Sequence, residues 1–353
     1  MSASFLRSAF LLLLSLLAAG CNPAAGLVAN QIFRAPNKRT HHGLEFTSDV
    51  QALAQRATFD SFDVGVKGAS LRVALVGPGR YELLWQPRID GPNVWVETPM
   101  ALQMERKGTP ARGLILTLHG FGSCKEQMLP WAVELANEGY YVAMVDLRGH
   151  GASTGEWVGF GALEKRDLSQ VLDELERRGY RDLPIGVLGV SYGASIGLAF
   201  AAEDPRVRSV IAFSPFASAE AGIPELARAA FPDHAARISD RLFRAAFRLG
   251  AVRGGFDWAA TDVLPSMEKL DRPVLFVHGA ADTWLRPEHS RRLHSSAVPG
   301  SRLVLVEDET HVSLPLQLAK IASEIRAWFE AELADNAQGA QVAQADTDIP
   351  ASL

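Results

Sequence analysis

The 353-residue chain has only two cysteines, Cys21 and Cys124, which excludes a disulfide framework and a cysteine-rich zinc site and leaves one bridge at most. It also lacks an excess of either charge. Against 35 Lys and Arg stand 40 Asp and Glu, and a net charge of −5 gives no broad basic footprint, so no nucleic-acid partner is expected. Disorder as the dominant state is excluded by a hydrophobic content of 48%, enough for a sizeable core. The N-terminal apolar run, 9–19, is about a dozen residues, too short to span a bilayer as a helix, which takes about 20.

That run follows Arg7 and is interrupted only by Ser15, so residues 1–20 read as an export signal. It ends in Leu17-Ala18-Ala19-Gly20-Cys21, which resembles the lipobox of bacterial lipoproteins, with Ala18 where Leu is usual. The resemblance implies cleavage before Cys21, acyl chains on Cys21, and an exported protein anchored in a bacterial envelope. Asn22 after the cysteine favours the periplasmic face of the outer membrane, and Cys124 is left as a lone thiol.

Residues 21–58 show no sustained periodicity and read as a tether and lead-in; His41-His42 lacks a third neighbour for a metal site. From 59 to 104 come short β-type stretches such as 71–76, 81–85 and 94–96, punctuated by Gly and Pro. After Gly113 the pattern changes to apolar runs at 114–118, 141–145, 185–190, 207–213, 274–277 and 303–306. Such runs suit a parallel sheet buried on both faces. The helical candidates lie at 125–138, 163–178, 191–203, 287–297 and 315–333. The fold class is therefore α/β with helices on both faces, one domain over 59–333, followed by a disordered tail over 334–353. Residues 215–270 separate two strands and read as a helical lid, in which Arg237, Arg241, Arg244 and Arg248 share one helical stripe. A solvated polar face is the plain reading of that stripe, with attraction to anionic lipid or substrate as the alternative.

The chemistry centres on Gly189-Val190-Ser191-Tyr192-Gly193, a G-x-S-x-G between a strand and a helix. A sharp turn there demands small flanking residues and lifts the hydroxyl above the sheet edge. A serine hydroxyl needs an imidazole base oriented by a carboxylate. Asp282, after the 274–277 strand, and His311, after the 303–306 strand, follow in that order. Glu220 is the runner-up acid. His278, His289 and His294 read as surface or supporting histidines, and His119 as a brace for its loop. An oxyanion site is expected from the backbone N–H groups of Tyr192 and of Phe121 in His119-Gly120-Phe121-Gly122.

Those motifs, with Asp146-Leu147-Arg148-Gly149-His150-Gly151 and His278-Gly279 to Asp282, resemble the α/β-hydrolase superfamily over roughly 59–333. Phe160-Gly161 with Glu164 and Asp167 resembles its BEM46-like and serine aminopeptidase-like members. The resemblance implies an α/β-hydrolase fold and hydrolysis of a small-molecule acyl ester through an acyl-enzyme. Ser191 is then nucleophile, His311 base, Asp282 acid, and Phe121 and Tyr192 oxyanion donors, with no metal or organic cofactor. Asp146 and Arg148 brace their loop. Serine at the elbow argues against dehalogenase and epoxide hydrolase chemistry, which use aspartate there. Amide, peptide or thioester cleavage and a non-catalytic binding module are the alternatives; amine recognition would draw on Glu220 or Glu225. Phe121, Trp157, Phe216, Phe231 and Trp284 are candidates for an apolar acyl pocket.

Overall fold

A computed structural model describes residues 23–38, 59–83, 88–90, 93–95, 102–106 and 111–334. The export signal, Cys21, His41-His42 and the tail beyond residue 334 lie outside the described residues. The strands are β1 (Asp60–Val66), β2 (Ala69–Val76), β3 (Gly79–Leu83), β4 (Arg88–Asp90), β5 (Asn93–Trp95), β6 (Leu102–Arg106), β7 (Gly113–Leu118), β8 (Tyr140–Val145), β9 (Ile185–Val190), β10 (Val207–Phe213), β11 (Val274–Gly279) and β12 (Arg302–Val306). The longer helices are α1 (Pro23–Phe33), α2 (Leu129–Asn137), α3 (Glu164–Leu175), α4 (Tyr192–Ala201), α5 (Ala219–Ala230), α6 (Pro232–Ala235), α7 (Asp240–Gly254), α8 (Leu264–Lys269), α9 (Glu288–Ser295) and α10 (Leu318–Leu333).

Eight strands form one sheet in the order β1-β2-β8-β7-β9-β10-β11-β12. β1 and β2 pair antiparallel and β2 joins β8 antiparallel; every later pairing is parallel. β7, β9 and β11 are buried at every position, as strands covered on both faces must be. β1 alternates instead, burying Phe62 and Val64 between exposed neighbours, which suits its edge position. Of the β-type stretches before Gly113, only β1 and β2 enter this sheet; β3 with β6 and β4 with β5 make two separate ribbons.

One face of the sheet packs on α2 and α10 through Trp131, Leu135, Ile325 and Phe329. The other packs on α3 and α4 through Leu168, Val171 and Ile196, and Phe243 and Phe247 of α7 extend the same apolar cluster. Full burial of one such side chain contributes about 1.5–3 kcal/mol. Gly186 on β9 is required by this packing, since a Cβ there would fall 2.7 Å from the Phe329 ring. From β7 the chain turns toward β8, and from β9 toward β10, on opposite sides. A crevice therefore opens past the carboxyl ends of these adjacent strands.

The helical excursion between β10 and β11 has a narrow neck. Ser218 bridges Asp262, and the Val263 N–H donates to the Ala217 carbonyl at 2.9 Å. α7 inside it starts at Ser239, whose hydroxyl accepts from the Leu242 N–H, and stops at Gly255, which takes φ 69°. Arg237 precedes this cap, so the helical arginine stripe comprises Arg241, Arg244 and Arg248 rather than four residues.

The expected tether requires correction over 23–38. α1 docks against α7, with Phe33 fully buried among Phe160, Phe247, Phe256 and Trp258 at ring distances of 5.4–6.1 Å. The Phe33 carbonyl accepts from Val158, the Ala35 N–H donates to Glu156, and the Asn37 amide donates to the Ser153 carbonyl. A sequence without charges and without strong periodicity hid a helix whose partner is distant in the chain. Phe33→Ala is expected to lower the unfolding free energy by roughly 3–5 kcal/mol in urea titrations, the cost of emptying a buried aromatic site. A loss below about 1 kcal/mol would mean that α1 is peripheral.

Candidate active site

Ser191 sits at φ 51°, ψ −109°, a strained backbone held between the last residue of β9 and the first of α4. The turn leaves no room beside it. A Cβ on Gly189 would lie 2.5 Å from the Gly193 carbonyl oxygen, and one on Gly193 would lie 2.3 Å from that of Leu118. The Ser191 N–H donates to the Phe213 carbonyl at 2.7 Å, tying the turn to β10.

The structure brings Ser191, His311 and Asp282 together from three separate loops. His311 Nε2 lies 3.0 Å from Ser191 Oγ, and its Nδ1 lies 2.7 Å from Asp282 Oδ2. The loop carrying His311 is fastened to the one carrying Asp282: the Ala281 N–H donates to the Glu309 carbonyl at 3.0 Å, and a Cβ on Gly279 would collide with that same oxygen. Glu309 itself is buried and accepts from the Ser313 hydroxyl at 2.6 Å, while Lys320 pairs with its other oxygen.

Asp282 is buried, and burial opposes its ionisation. Hydrogen bonds from His278, His311 and the Leu285 N–H outweigh that penalty and hold the carboxyl well below the usual carboxylate range. Its Oδ1 accepts from the Trp284 and Leu285 N–H groups at 3.0 and 2.9 Å. Oδ2 lies 3.3 Å from His278 Nε2. His278 is fully buried, with Nδ1 2.7 Å from the Ser290 hydroxyl, so it supports the carboxylate rather than facing Ser191. His289 lies within α9 near Glu225, and its Nδ1 accepts from the Ala217 N–H. His294 Nε2 is 3.1 Å from the Ser301 carbonyl. The runner-up acid Glu220 stands apart from His311, exposed and accepting from the Trp258 indole at 3.2 Å.

Phe121 follows β7 in a loop shaped by Gly122 at φ 76°. His119 braces that loop from within: Nε2 accepts from the Leu147 N–H at 3.0 Å, which leaves Nδ1–H to donate to the Gly120 carbonyl at 2.8 Å. Burial lowers the His119 pKa, in keeping with this neutral form. The Phe121 ring stacks on Phe160 at 5.5 Å and meets Tyr192 edge-on at 5.6 Å. The two candidate oxyanion residues therefore share one aromatic cluster, although 71 positions separate them in the chain.

Beneath that cluster lies Glu164, buried and accepting three hydrogen bonds: from the Tyr192 hydroxyl at 2.9 Å, the Gly159 N–H at 2.6 Å and the Gly161 N–H at 2.8 Å. Burial above all, and then this carboxylate, push the Tyr192 phenol well above its ordinary range, so it stays a donor. Phe160, between the two glycines, is held at φ 49°. Arg148 grips Asp167 with two bonds of 2.8 and 2.6 Å and reaches the Lys67 carbonyl at 2.9 Å. Asp146 accepts from the Lys125 and Ala152 N–H groups at 2.6 and 2.9 Å. Both residues brace loops and neither is placed against Ser191. The spacing Gly159-x-Gly161-x-x-Glu164 carried the signal for the Glu164 cradle, but Tyr192 as its partner is a tertiary contact.

Among the pocket candidates, Phe121 and Phe216 both contact Phe160, and Trp284 stacks on the His311 ring at 6.0 Å. Trp157 lies instead beside α1, bridged to Arg34, and Phe231 is exposed on the excursion. Cys124 is buried; burial, with Glu126 beside it, pushes its thiol up and leaves it protonated. No group of three or more His, Cys, Asp or Glu suited to a metal ion occurs among the described residues.

A family model described as serine aminopeptidase, S33, matches residues 109–246, a stretch that includes Ser191 and ends before Asp282 and His311. The uncharacterized protein YqkD of Bacillus subtilis is 28% identical over 176 residues, 49% of this chain and 56% of that protein. The chain thus spans just over half the length of that relative. A pimeloyl-[acyl-carrier protein] methyl ester esterase of Neisseria meningitidis is 27% identical over 268 residues, 66% of this chain and 100% of that enzyme. Among solved structures, the Pyrococcus furiosus esterase Pf2001 shares the fold with a TM-score of 0.56 at 19% identity, over 79% of this chain and 95% of that one. Est1E from Butyrivibrio proteoclasticus, solved with ferulic acid bound, gives 0.54 at 19% identity over 77% and 99%. With its central sheet and its strand-turn-helix serine, the chain has the α/β-hydrolase fold, and these relatives make it similar to hydrolases of that superfamily.

Proposed function

We propose that this enzyme cleaves carboxylic esters through an acyl-enzyme on Ser191. The observation that carries the reading is the unbroken line from Ser191 Oγ through His311 to a buried, fully hydrogen-bonded Asp282. Asp282 accepts from Nδ1–H of His311, which leaves Nε2 free to take the serine proton as Oγ attacks the carbonyl carbon. The N–H groups of Phe121 and Tyr192 receive the oxyanion at the head of α4. The tetrahedral adduct then breaks its bond to the alcohol oxygen, and His311 returns the proton to that leaving group. Water, losing a proton to His311, attacks the acyl-serine; its collapse frees the acid and restores Ser191.

Esters are favoured over amino-terminal peptide bonds by the state of the acids. Of the two acids considered for meeting an amine, Glu225 already accepts from Arg286 at 2.8 and 2.9 Å and lies 3.4 Å from His289, and Glu220 accepts from the Trp258 indole. The methyl ester esterase among the relatives points the same way. A small-molecule ester is therefore the proposed substrate. We also propose export and acylation at Cys21, supported by the lipobox-like Leu17 to Cys21 stretch; Cys21→Ser is expected to let high salt strip the protein from sedimented membranes, whereas the acylated wild type stays bound.

Ser191→Ala is expected to lower kcat on a short-chain ester about a million-fold and to abolish labelling by a fluorophosphonate probe, with Asp282→Asn costing about ten-thousand-fold. Equal labelling of wild type and Ser191→Ala would remove the serine mechanism. Glu164→Gln turns an amide N–H toward donors that need an acceptor; kcat should fall about tenfold with KM unchanged, and unchanged kcat would show that the cradle is only structural. Because Asp282 remains ionised far into acid, the low-pH loss of kcat/KM should follow a single proton down to about pH 4, with no second, carboxylate step. Its contribution to stability has the matching sign: the native pKa is depressed, so the contribution is complete above about pH 4 and is lost as pH falls toward the native value.

A further inference from the structure

α1 and α7 lie against each other. The Arg253 guanidinium donates to the Gly26 carbonyl at 3.3 Å and to Asn30 Oδ1 at 2.8 Å, and Gly250 leaves the space that the Phe33 ring fills. α1 contains no charged residue. α7 carries four arginines against one acid, Asp240, which is paired with Arg228 at 2.5 Å. Arg241, Arg244 and Arg248 are exposed and enter no ion pair among the described residues. At 3.6 residues per turn, Arg241, Arg248 and Val252 line the side opposite the buried Phe243, Phe247 and Gly250. Val252 is 78% exposed, and Leu27 on α1 is 70% exposed. On a chain of net charge −5, the outer faces of these two helices thus combine free cations with bare aliphatic side chains.

We propose that this α1–α7 face docks on an anionic phospholipid bilayer, with Arg241, Arg244 and Arg248 at the headgroups and Val252 and Leu27 toward the acyl boundary. Arginine suits that depth, since its stem lies along apolar surface while the guanidinium stays with phosphate. The choice of a bilayer over an acidic protein rests on the proposed acylation of Cys21. Only Asn22 separates Cys21 from Pro23, the first residue of α1. Two residue steps of chain reach about 7 Å, so an acyl anchor there holds α1, and with it α7, at the membrane. The rest of the enzyme then hangs from its helical excursion.

The test uses the chain from residue 21 onward with Cys21→Ser, so that neither the export signal nor an acyl group contributes, in co-sedimentation with vesicles of phosphatidylcholine alone and mixed with phosphatidylglycerol. Binding is expected to favour the anionic vesicles and to weaken with added salt. Each arginine at such a surface contributes about fivefold, so R241Q/R248Q should bind the anionic vesicles roughly 25-fold more weakly. Turnover of a soluble ester by this variant should match the parent, which separates this proposal from the hydrolase reading; acylation is read independently from the mass of the wild-type N-terminus. Equal binding to both vesicle types, or equal binding by parent and variant, would overturn the proposal. So would arginine-dependent retention on polyglutamate without a vesicle preference, which would assign the stripe to an acidic protein.

Discussion

The rest of the molecule depends on one crowded turn. At Ser191 the chain passes from strand to helix with so little space that neither Gly189 nor Gly193 tolerates a Cβ, and Ser191 itself is forced to positive φ. Such a conformation persists only when its surroundings over-determine it. Here β9 is the middle of a sheet buried on both faces, α4 is buried at every position, and the neighbouring strands β7 and β10 supply the carbonyls that the turn touches. The apolar bulk of the protein serves to hold a polar hydroxyl at a fixed point.

Around that point the buried carboxylates are each held by several donors. Asp282 has both oxygens occupied before His311 turns toward Ser191. Glu164 performs the corresponding task on the other side, gathering two backbone N–H groups and the Tyr192 hydroxyl. A buried carboxylate is costly unless its acceptors are filled, and here filling them also fixes the chain segments that bear the reacting groups. The Arg148–Asp167 pair extends the same scheme to the loop after β8. Burial lifts the Asp167 carboxyl to about 6, so this pair contributes position more than net stability.

What the sequence made legible follows from how local each signal is. The parallel strands showed as short, mostly apolar runs, and Ser191, Asp282 and His311 stood out because each follows a strand in an order that the resembled fold imposes. β1 was obscure because Asp60, Ser61 and Asp63 dilute its alternation. The helix Pro23–Phe33 was hidden more deeply: its stability comes from Phe33 entering the gap at Gly250, a contact across 217 positions that no local pattern encodes. His278 and Glu164 were visible as residues but not as supports for Asp282 and Tyr192, since those roles exist only once separate loops converge. Arg237 fell out of the stripe for a local reason, the Ser239 cap, which interrupts the helical spacing two residues later.

The excursion between β10 and β11 is tied to the rest of the domain by α1. Its neck at Ala217 and Val263 is narrow, and an insertion held only there would be free to swing. Phe33 removes much of that freedom, because its ring touches Phe160 beside the oxyanion cluster as well as Phe247 and Trp258 in the excursion. Phe160 in turn stacks on Phe121. A continuous set of aromatic contacts thus joins the helical excursion, α1 and the loop that carries Phe121, the candidate oxyanion donor. Displacing α7 would disturb Phe33, and through Phe160 the ring that sets where the Phe121 backbone lies. The excursion is accordingly tied to the site at this end through Phe33 and Phe160, in addition to its neck.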